Sequence, residues 1–443
     1  MKILFLEIET EQPWALASIG PAFIASYIRK HGHEAALLRV PPDCGIEDII
    51  SGIKSESPDL IGFSLTTRQY SRALSIAVEL RKNLDLPIIA GGLHPTFSPF
   101  SVLESGAFDF VCLGEGEEAI CSMLTHLKNG KDISTAGIPN IWSRGRERPE
   151  MHPPLALAQI PFLARDLLNE THGVFHISTM RGCPFQCTYC AGGAISRLYG
   201  GKYIRRRSVN SVLEELRQIG DQTSINYVIF LDDTFTLNQG WLEEFCESYG
   251  KEIGRGFSIN ARPDTVTPEM IRMLAKTGCR HIVYGVESGS RRVREDILNR
   301  PGGNGLFIEV FNQTKEAGML ATANYMIGIP GETPEDIEQT LALNEELAPD
   351  DFGCFVFHPY PGTPLFELCR KKGYLPENYE DLPADNRQTI LTLPDLTQDD
   401  IGHYYNVFSA VREKTYLMRY GSSLNETQKA VAIKNLRGNA DAD

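Results

Sequence analysis

The sequence predicts an α/β protein in three parts: a doubly wound parallel-sheet (Rossmann-like) domain, a partial (β/α)6 TIM-type barrel, and a mainly helical C-terminal region. Three observations predict it. Short Val/Ile/Leu-rich runs alternate with helical patterns from Lys2 to about Leu127, a second alternation begins near residue 173 after a stretch without periodicity, and the chain beyond about Lys371 carries helical patterning alone. Strands alternating with helices of this length form parallel sheets with right-handed crossovers. A chain of 443 residues is long enough for two or three units, each with its own core.

In the first part ILFLEI, EAALLRV, LIGFSL, PIIAGG and FDFVCLG read as strands, with helices over IGPAFIASYIRKHG, near EDIISGI, and over 71–82 and 116–128. This domain is set at 1–130. Residues 131–172, rich in Pro, Gly and Arg, read as a linker. FHISTM, NYVIFLD, FSIN, HIVYGVE, ATANYMIG and FGCFVFH then read as six strands, separated by helices such as SVNSVLEELRQIG and TPEDIEQTLALNEELA, in a domain set at 173–370. Six strand and helix pairs are too few for a full eight-stranded barrel, so a barrel open on one side is expected. The region 371–443, with DDIGHYYNVFSAVREKTYLMRYG, reads as a cap over a site, an oligomer contact or simple packing, and the closing RGNADAD as disordered.

Composition narrows the function classes. Lys and Arg number 43 against 57 Asp and Glu, a net charge of -14, which repels nucleic-acid backbones and anionic membranes. The amino terminus MKILFLEIETEQPW lacks the basic start and cleavage site of a secretory signal, and no apolar run approaches the roughly 18 residues of a spanning helix. A cytoplasmic protein with no transmembrane segment is expected, with peripheral contact to a lipid left open. Of ten cysteines, Cys44, Cys112, Cys121, Cys246, Cys279, Cys354 and Cys369 are dispersed and read as small core residues, while three are clustered.

The clustered three lie in Met180-Arg-Gly-Cys183-Pro-Phe-Gln-Cys187-Thr-Tyr-Cys190-Ala-Gly-Gly193, directly after a predicted strand. Thiolates are the usual ligands of iron–sulfur clusters, and a Gly/Pro loop lets three converge on one face of a cube, leaving the fourth iron open. The alternatives are a zinc knuckle, which would normally take a fourth ligand, or a reactive thiol set. With its C-x3-C-x2-C spacing and an aromatic residue, Tyr189, before the last Cys, the segment resembles the radical S-adenosylmethionine family over about 175–365. The resemblance implies a [4Fe-4S] cluster on Cys183, Cys187 and Cys190, whose open iron binds S-adenosylmethionine and cleaves it to a 5′-deoxyadenosyl radical, with a flavodoxin or ferredoxin as reductant. Later strand ends should then hold S-adenosylmethionine. Asp232 and Asp233 resemble the family's contacts to the methionine ammonium. Glu287 and Ser288 in GVESGS look like its ribose and amino contacts, Asn260 and Arg262 end the third strand, and GIPGE from Gly328 resembles the segment near adenine.

In an open doubly wound sheet ligands sit beyond the carboxyl ends of the strands, here the loops Glu9 to Gly20, Ser64 to Ser71, Gly91 to Pro95 and Gly114 to Glu117. PAFIASYIRKHGHE, PDLIGFSLTT, PIIAGGLHPTFSP and DFVCLGEGEEA resemble, over about 1–128, the cobalamin-binding domain that precedes the barrel in one branch of the family. EIETEQPWALASIG contains no His, so the resemblance implies cobalamin bound base-off without a His ligand. Thr66, Thr67, Arg68 and Gln69 would then face the lower side of cobalt, Gly91, Gly92 and His94 the nucleotide tail, and Gly114 and Glu115 a further contact. For His94 the plain alternative is a capped loop histidine, and for the glycines ordinary turn chemistry.

Both domains together point to a cobalamin-dependent radical methyltransferase acting on an unactivated carbon of a small molecule, lipid or natural product. Radical cyclisation, rearrangement or oxidation without methyl transfer is the alternative, as is a non-catalytic iron–sulfur or corrinoid-binding protein. Cys354, beside His358 and Tyr360 in FGCFVFHPYPGTP, is placed on the substrate side of the barrel as hydrogen donor, general acid or core, and Tyr325 reads as packing.

Overall fold

The computed structural model describes residues 1–9, 19–201, 203–380, 382, 384 and 386–437. Its first sheet holds β1 (Lys2–Ile8), β2 (Glu34–Val40), β3 (Leu60–Ser64), β4 (Ile88–Gly91), β5 (Phe110–Cys112) and β6 (Ile141–Ser143), in the order β2-β1-β3-β4-β5-β6. The first five are parallel, β6 runs antiparallel to β5, and the strand order reverses between β1 and β3. Alternate residues of β1 feed opposite faces: Leu4, Leu6 and Ile8 enter one core, Ile3 and Phe5 the other. Both faces are therefore covered by helices, as continuous apolar runs in a parallel sheet require.

The second sheet follows the expected strands: β7 (Val174–Ile177), a small hairpin of β8 (Met180–Arg181) and β9 (Arg205–Arg206), then β10 (Tyr227–Phe230), β11 (Gly256–Ala261), β12 (Cys279–Glu287), β13 (Leu320–Ile327) and β14 (Asp351–Val356). The six long strands are parallel in the order β14-β13-β12-β11-β10-β7, and among the described residues no strand joins β7 to β14, so the barrel is open. On β12, Ile282, Tyr284 and Val286 are buried against the helices, while Val283, Gly285 and Glu287 face inward to a cavity.

The segment 131–172, expected as a linker, is packed structure. It supplies β6, and its Arg165 donates to Glu170 at 2.7 and 2.8 Å and to Glu215 at 2.6 Å, while its Asp166 accepts from Arg29 at 2.7 Å. A three-residue strand is too short to show a period, which is why sequence patterning passes over it. The long C-terminal helix Gln398–Tyr420 lies along β14, with Phe408 against Tyr325 and Phe352 and with Arg412 donating to Asp351 at 2.9 and 2.8 Å. Packing is thus what the structure gives this helix. Residues 438–443 of the expected disordered tail lie outside the described residues. Among the described residues no helix is long and apolar enough to cross a membrane.

Candidate active site

The loop after β7 carries the three clustered cysteines and is fixed at its root by Asp232. This carboxylate accepts from Thr179 N at 2.8 Å, Met180 N at 3.1 Å and the Thr179 hydroxyl, and burial pushes it up to about 6 despite these donors. Gly182, at φ +90°, turns the chain into the loop where a Cβ would stand 2.8 Å from the Tyr203 ring. Cys183, Cys187 and Cys190 then line one cavity of about 270 Å³ with Tyr189, Asp233, Asn260, Arg262, Glu287, Arg300 and Asn324. All three are free thiols, and they do not close to the spacing of a single-ion site.

Two guanidiniums converge on Cys187. Arg262 Nη1 donates to its sulfur at 3.3 Å and Arg300 Nη1 at 3.8 Å. Arg262 is itself held by Asp264 at 2.6 and 2.9 Å and lies 3.7 Å above the Phe185 ring. Burial pushes the Cys183 thiol up and Cys190 to about 12, so these sulfurs become anionic only beside a cation or a metal cluster. Glu287 ends β12 at φ +71°, a conformation rare for a side-chain-bearing residue, with Arg300 3.7 Å from its carboxylate. A set of three thiols with positive donors behind them fits a cluster carrying negative charge.

A second cavity of about 650 Å³ opens beyond the carboxyl ends of the first sheet and adjoins the first: Cys190, Gly192 and Asp233 line both. Its other wall includes Thr66, Gln69, Gly92, Leu93, Gly114 and Glu115. Asp233 lies deep in the molecule, yet its carboxylate is open to this space, and burial raises it. Small polar and glycine residues at strand ends, facing Phe23, Ile24 and Tyr203, fit the flat face of a macrocycle such as a corrin. Much of the expected loop Glu9 to Gly20, residues 10–18, lies outside the described residues.

Several expected contacts are spent within the chain. Both Asp232 oxygens serve Thr179 and Met180. Ser288 is fully buried, its hydroxyl paired with Thr340 at 3.3 Å and accepting from Ser290 N at 3.2 Å. Gly328, at φ +76°, donates to Glu332 at 2.7 Å and packs under Ile401, outside both cavities. Arg262 lines the first cavity, but its Nη1 is spent on a cluster cysteine. Thr67 faces His94 at 3.3 Å, and His94 is a buried ring stacked on Tyr70 with centroids 4.1 Å apart, not a capped loop residue. Gly91 ends β4 against Cys112, and a Cβ on Gly92 would stand 2.7 Å from the Leu65 backbone, so close packing of the chain on itself accounts for Gly92.

Cys354 takes the core reading among those open to it, and its substrate-side placement is corrected. It pairs in register with Tyr325 and shares the strand face of Phe352 and Val356, which are in the core, whereas Phe355 and Asn324 take the cavity side. Sequence reading missed Arg300 and Phe185. Phe185 stands inside the cysteine loop, two residues from both Cys183 and Cys187, whereas Arg300 reaches the site only through tertiary folding, from a loop after a short π-helical turn at Val293–Ile297.

The domains are joined beside the second cavity. Glu115 accepts from Arg181 at 3.0 Å and from Arg205, Glu117 accepts from Arg181 at 2.6 Å, and Arg181 stacks on Phe23 at 4.6 Å. Burial alone would raise Glu115, but Arg205 and Arg181 outweigh it and hold the carboxyl below its ordinary range. The Tyr199 hydroxyl accepts from Glu115 N at 2.8 Å.

Glu332, in GIPGE, is fully buried. One oxygen accepts from Gly328 N and Ile329 N at 2.7 and 3.1 Å, the other has no partner, and burial pushes the carboxyl up to about 8. The folded chain thus keeps a proton that an unfolded one loses near pH about 4.3. This stability is full at low pH and lost as pH rises toward 8. Glu332→Gln retains the acceptor for both N–H groups, so denaturant unfolding should show the variant gaining on the native chain between pH about 5 and 8. Parallel pH curves would refute this.

Comparison with known proteins matches residues 177–343 to the Radical SAM superfamily and residues 15–124 to the B12 binding domain. An uncharacterised methyltransferase of Pyrococcus horikoshii is 30% identical over 367 residues, covering 79% of this chain and 77% of its own. Cytidylyl-2-hydroxyethylphosphonate methyltransferase of Streptomyces wedmorensis is 24% identical over 90% of this chain and 87% of its own. In fold, the chain resembles the radical S-adenosylmethionine methyltransferase TsrM of Kitasatospora setae, with a TM-score of 0.70 and 18% identity over 84% of this chain and 76% of that one.

Proposed function

Because the chain belongs to the Radical SAM superfamily, with a B12 binding domain ahead of that module, we propose that it transfers a methyl group to an unactivated carbon of a small molecule. A [4Fe-4S] cluster, S-adenosylmethionine and cobalamin are the cofactors of these two modules. When bound, they supply an organic radical at the barrel and a transferable methyl group at the first sheet. The observation that carries the reading is the junction of the two cavities at Cys190, Gly192 and Asp233, which puts barrel chemistry and the strand ends of the first sheet on one connected space.

In this reading Cys183, Cys187 and Cys190 hold the cluster. Arg262 and Arg300 donate to the Cys187 sulfur and offset its negative charge in a buried site. Asp233, Asn260 and Glu287 offer acceptors and donors to the amino, carboxylate and ribose groups of S-adenosylmethionine, while Tyr189 and Phe185 keep water from the sulfurs. Thr66, Gln69, Leu93 and Gly114 meet the corrin. A flavodoxin- or ferredoxin-type protein supplies the electron.

The test is anaerobic purification with hydroxocobalamin available, measuring iron, sulfide, cobalt and the visible spectrum. About four irons and one base-off cobalamin per chain are expected. With substrate, S-adenosylhomocysteine and 5′-deoxyadenosine should both form. Four irons with no cobalt would end the methyl-transfer reading and leave the radical assignment standing.

A further inference from the structure

Three residues stand in register across the inner face of the barrel: Gly285 on β12, Asn324 on β13 and Gly353 on β14. Gly285 and Asn324 line the cavity that the three cysteines share. The two glycines leave room for larger neighbours. A Cβ on Gly285 would stand 2.8 Å from Arg300 Nη2, and one on Gly353 would stand 2.9 Å from the Phe355 ring and 3.1 Å from Asn324 Oδ1. The Asn324 amide thus lies between the Arg300 guanidinium and the Phe355 ring. Arg300 is satisfied by the Gly285 carbonyl and Glu287. The Asn324 side chain, with one acceptor oxygen and two N–H donors, makes no hydrogen bond among the described residues. Toward the amino ends of these strands the polar groups are already paired, His281 with Thr322 at 2.8 Å and Asp351 with Arg412 at 2.9 Å. Phe352 and Val356 are buried in the core, whereas Phe355, in register with Met326, turns to the inner face and is 43% exposed.

A free amide beside an exposed aromatic ring, both on the concave side of a sheet, is the composition of a ligand wall: the ring gains by leaving water and the amide fixes orientation. The charges nearest to them are paired, so this wall has nothing to offset a charge on a ligand. We infer that Asn324 and Phe355 seat the substrate, and that the part seated there is an uncharged, flat apolar frame bearing an amide or carbonyl group. Polarity along the row agrees with this. Charge stands on the cysteine side, at Arg300 and Glu287, the amide stands in the middle, and the ring stands on the edge strand β14. A molecule bonded to Asn324 with its face on Phe355 therefore extends from the barrel's edge into the cavity lined by the cysteines. Gly353 sets the seat, because a side chain there displaces the ring or the amide. The inference rests on the methyl-transfer reading in taking the ligand for the substrate, but occupation of the seat is measured without the reaction.

The test uses the full chain reconstituted anaerobically with iron and sulfide, without reductant, and titrates it with 4-fluorobenzamide followed by fluorine NMR. The probe should bind the native chain and bind about tenfold more weakly in Asn324→Leu, which keeps the size and removes the hydrogen bonds. Phe355→Ala should weaken it by a similar factor, and because that ring is exposed its loss opens no cavity in the core, so this variant carries the test should Asn324→Leu not fold. 4-Fluorobenzoate, with a charge in place of the amide, should bind about tenfold more weakly than the amide. Saturating S-adenosylmethionine should leave the probe bound. Absence of binding, native affinity in both variants, or preference for the benzoate overturns the inference. Displacement of the probe by S-adenosylmethionine overturns it as well, by assigning Asn324 and Phe355 to that molecule. Failure of the methyl-transfer reading shows instead in the cobalt content and products, and leaves these titrations unchanged.

Discussion

Cys187→Ala is expected to lower iron from about four per chain to near none and to abolish cleavage of S-adenosylmethionine. Cys187 is the least exposed of the three thiols and the one on which Arg262 and Arg300 both converge. Removing it deletes a ligand and takes one acceptor from each of two buried guanidiniums, which keep Asp264 for Arg262 and the Gly285 carbonyl for Arg300. Arg262→Gln separates the two effects. It keeps all three thiols but removes a donor to sulfur, a charge-assisted bond of about 1.5–3 kcal/mol, so iron should be retained while cleavage slows by roughly one to two orders of magnitude. Iron and sulfide assays, with 5′-deoxyadenosine measured by chromatography under dithionite, read both. Full iron and native cleavage in Cys187→Ala would remove the cluster assignment. Unchanged cleavage in Arg262→Gln would make that arginine a packing residue only.

The elements were legible because both sheets are buried on two faces, which forces uninterrupted Val/Ile/Leu runs with helices between them. ILFLEI, NYVIFLD and HIVYGVE could hardly be anything else in a chain with this rhythm. The edge strand Ile141–Ser143 was not legible, since three residues carry no period and its partner, β5, is set by topology. The cysteine loop was legible for a different reason: local spacing alone brings three thiols to one wall of a cavity.

What surrounds that loop divides by the same logic. Asp233, Asn260 and Glu287 follow from their places at strand ends, where a parallel barrel presents its side chains. Asp232 and Ser288 occupy equally good positions in sequence and yet are consumed by backbone and hydroxyl partners, because a neighbour's side chain at a strand end points the other way. Alternation also explains Cys354: the residues beside it face the cavity and it does not. Arg300 has no local signal whatever. Its guanidinium reaches Cys187 across 113 residues of chain, a relation fixed only by the packing of the folded barrel.

The joint between the domains yields the second large effect. Glu115→Ala is expected to cost about 3–5 kcal/mol, because it takes from Arg205 its one carboxylate among the described residues and from Arg181 one of two, Glu117 remaining, with both guanidiniums only 15% exposed. Glu115→Gln should cost less, since an amide oxygen still accepts from one guanidinium. Pairing Glu115→Ala with Arg181→Met should recover part of the loss, as expected when the penalty is an uncompensated charge rather than a missing contact. Denaturant unfolding followed by tryptophan fluorescence measures this, and losses that simply add in the double variant would refute it. The position of Arg181 ties this lock to the chemistry. It stands two residues before Cys183, so the pair of bonds from Arg181 to Glu115 and Glu117 fixes the root of the cysteine loop to the strand ends of the first sheet. Methyl transfer needs the two cavities in register. Glu115→Gln should therefore retain cleavage of S-adenosylmethionine while the yield of methylated product per cleavage falls.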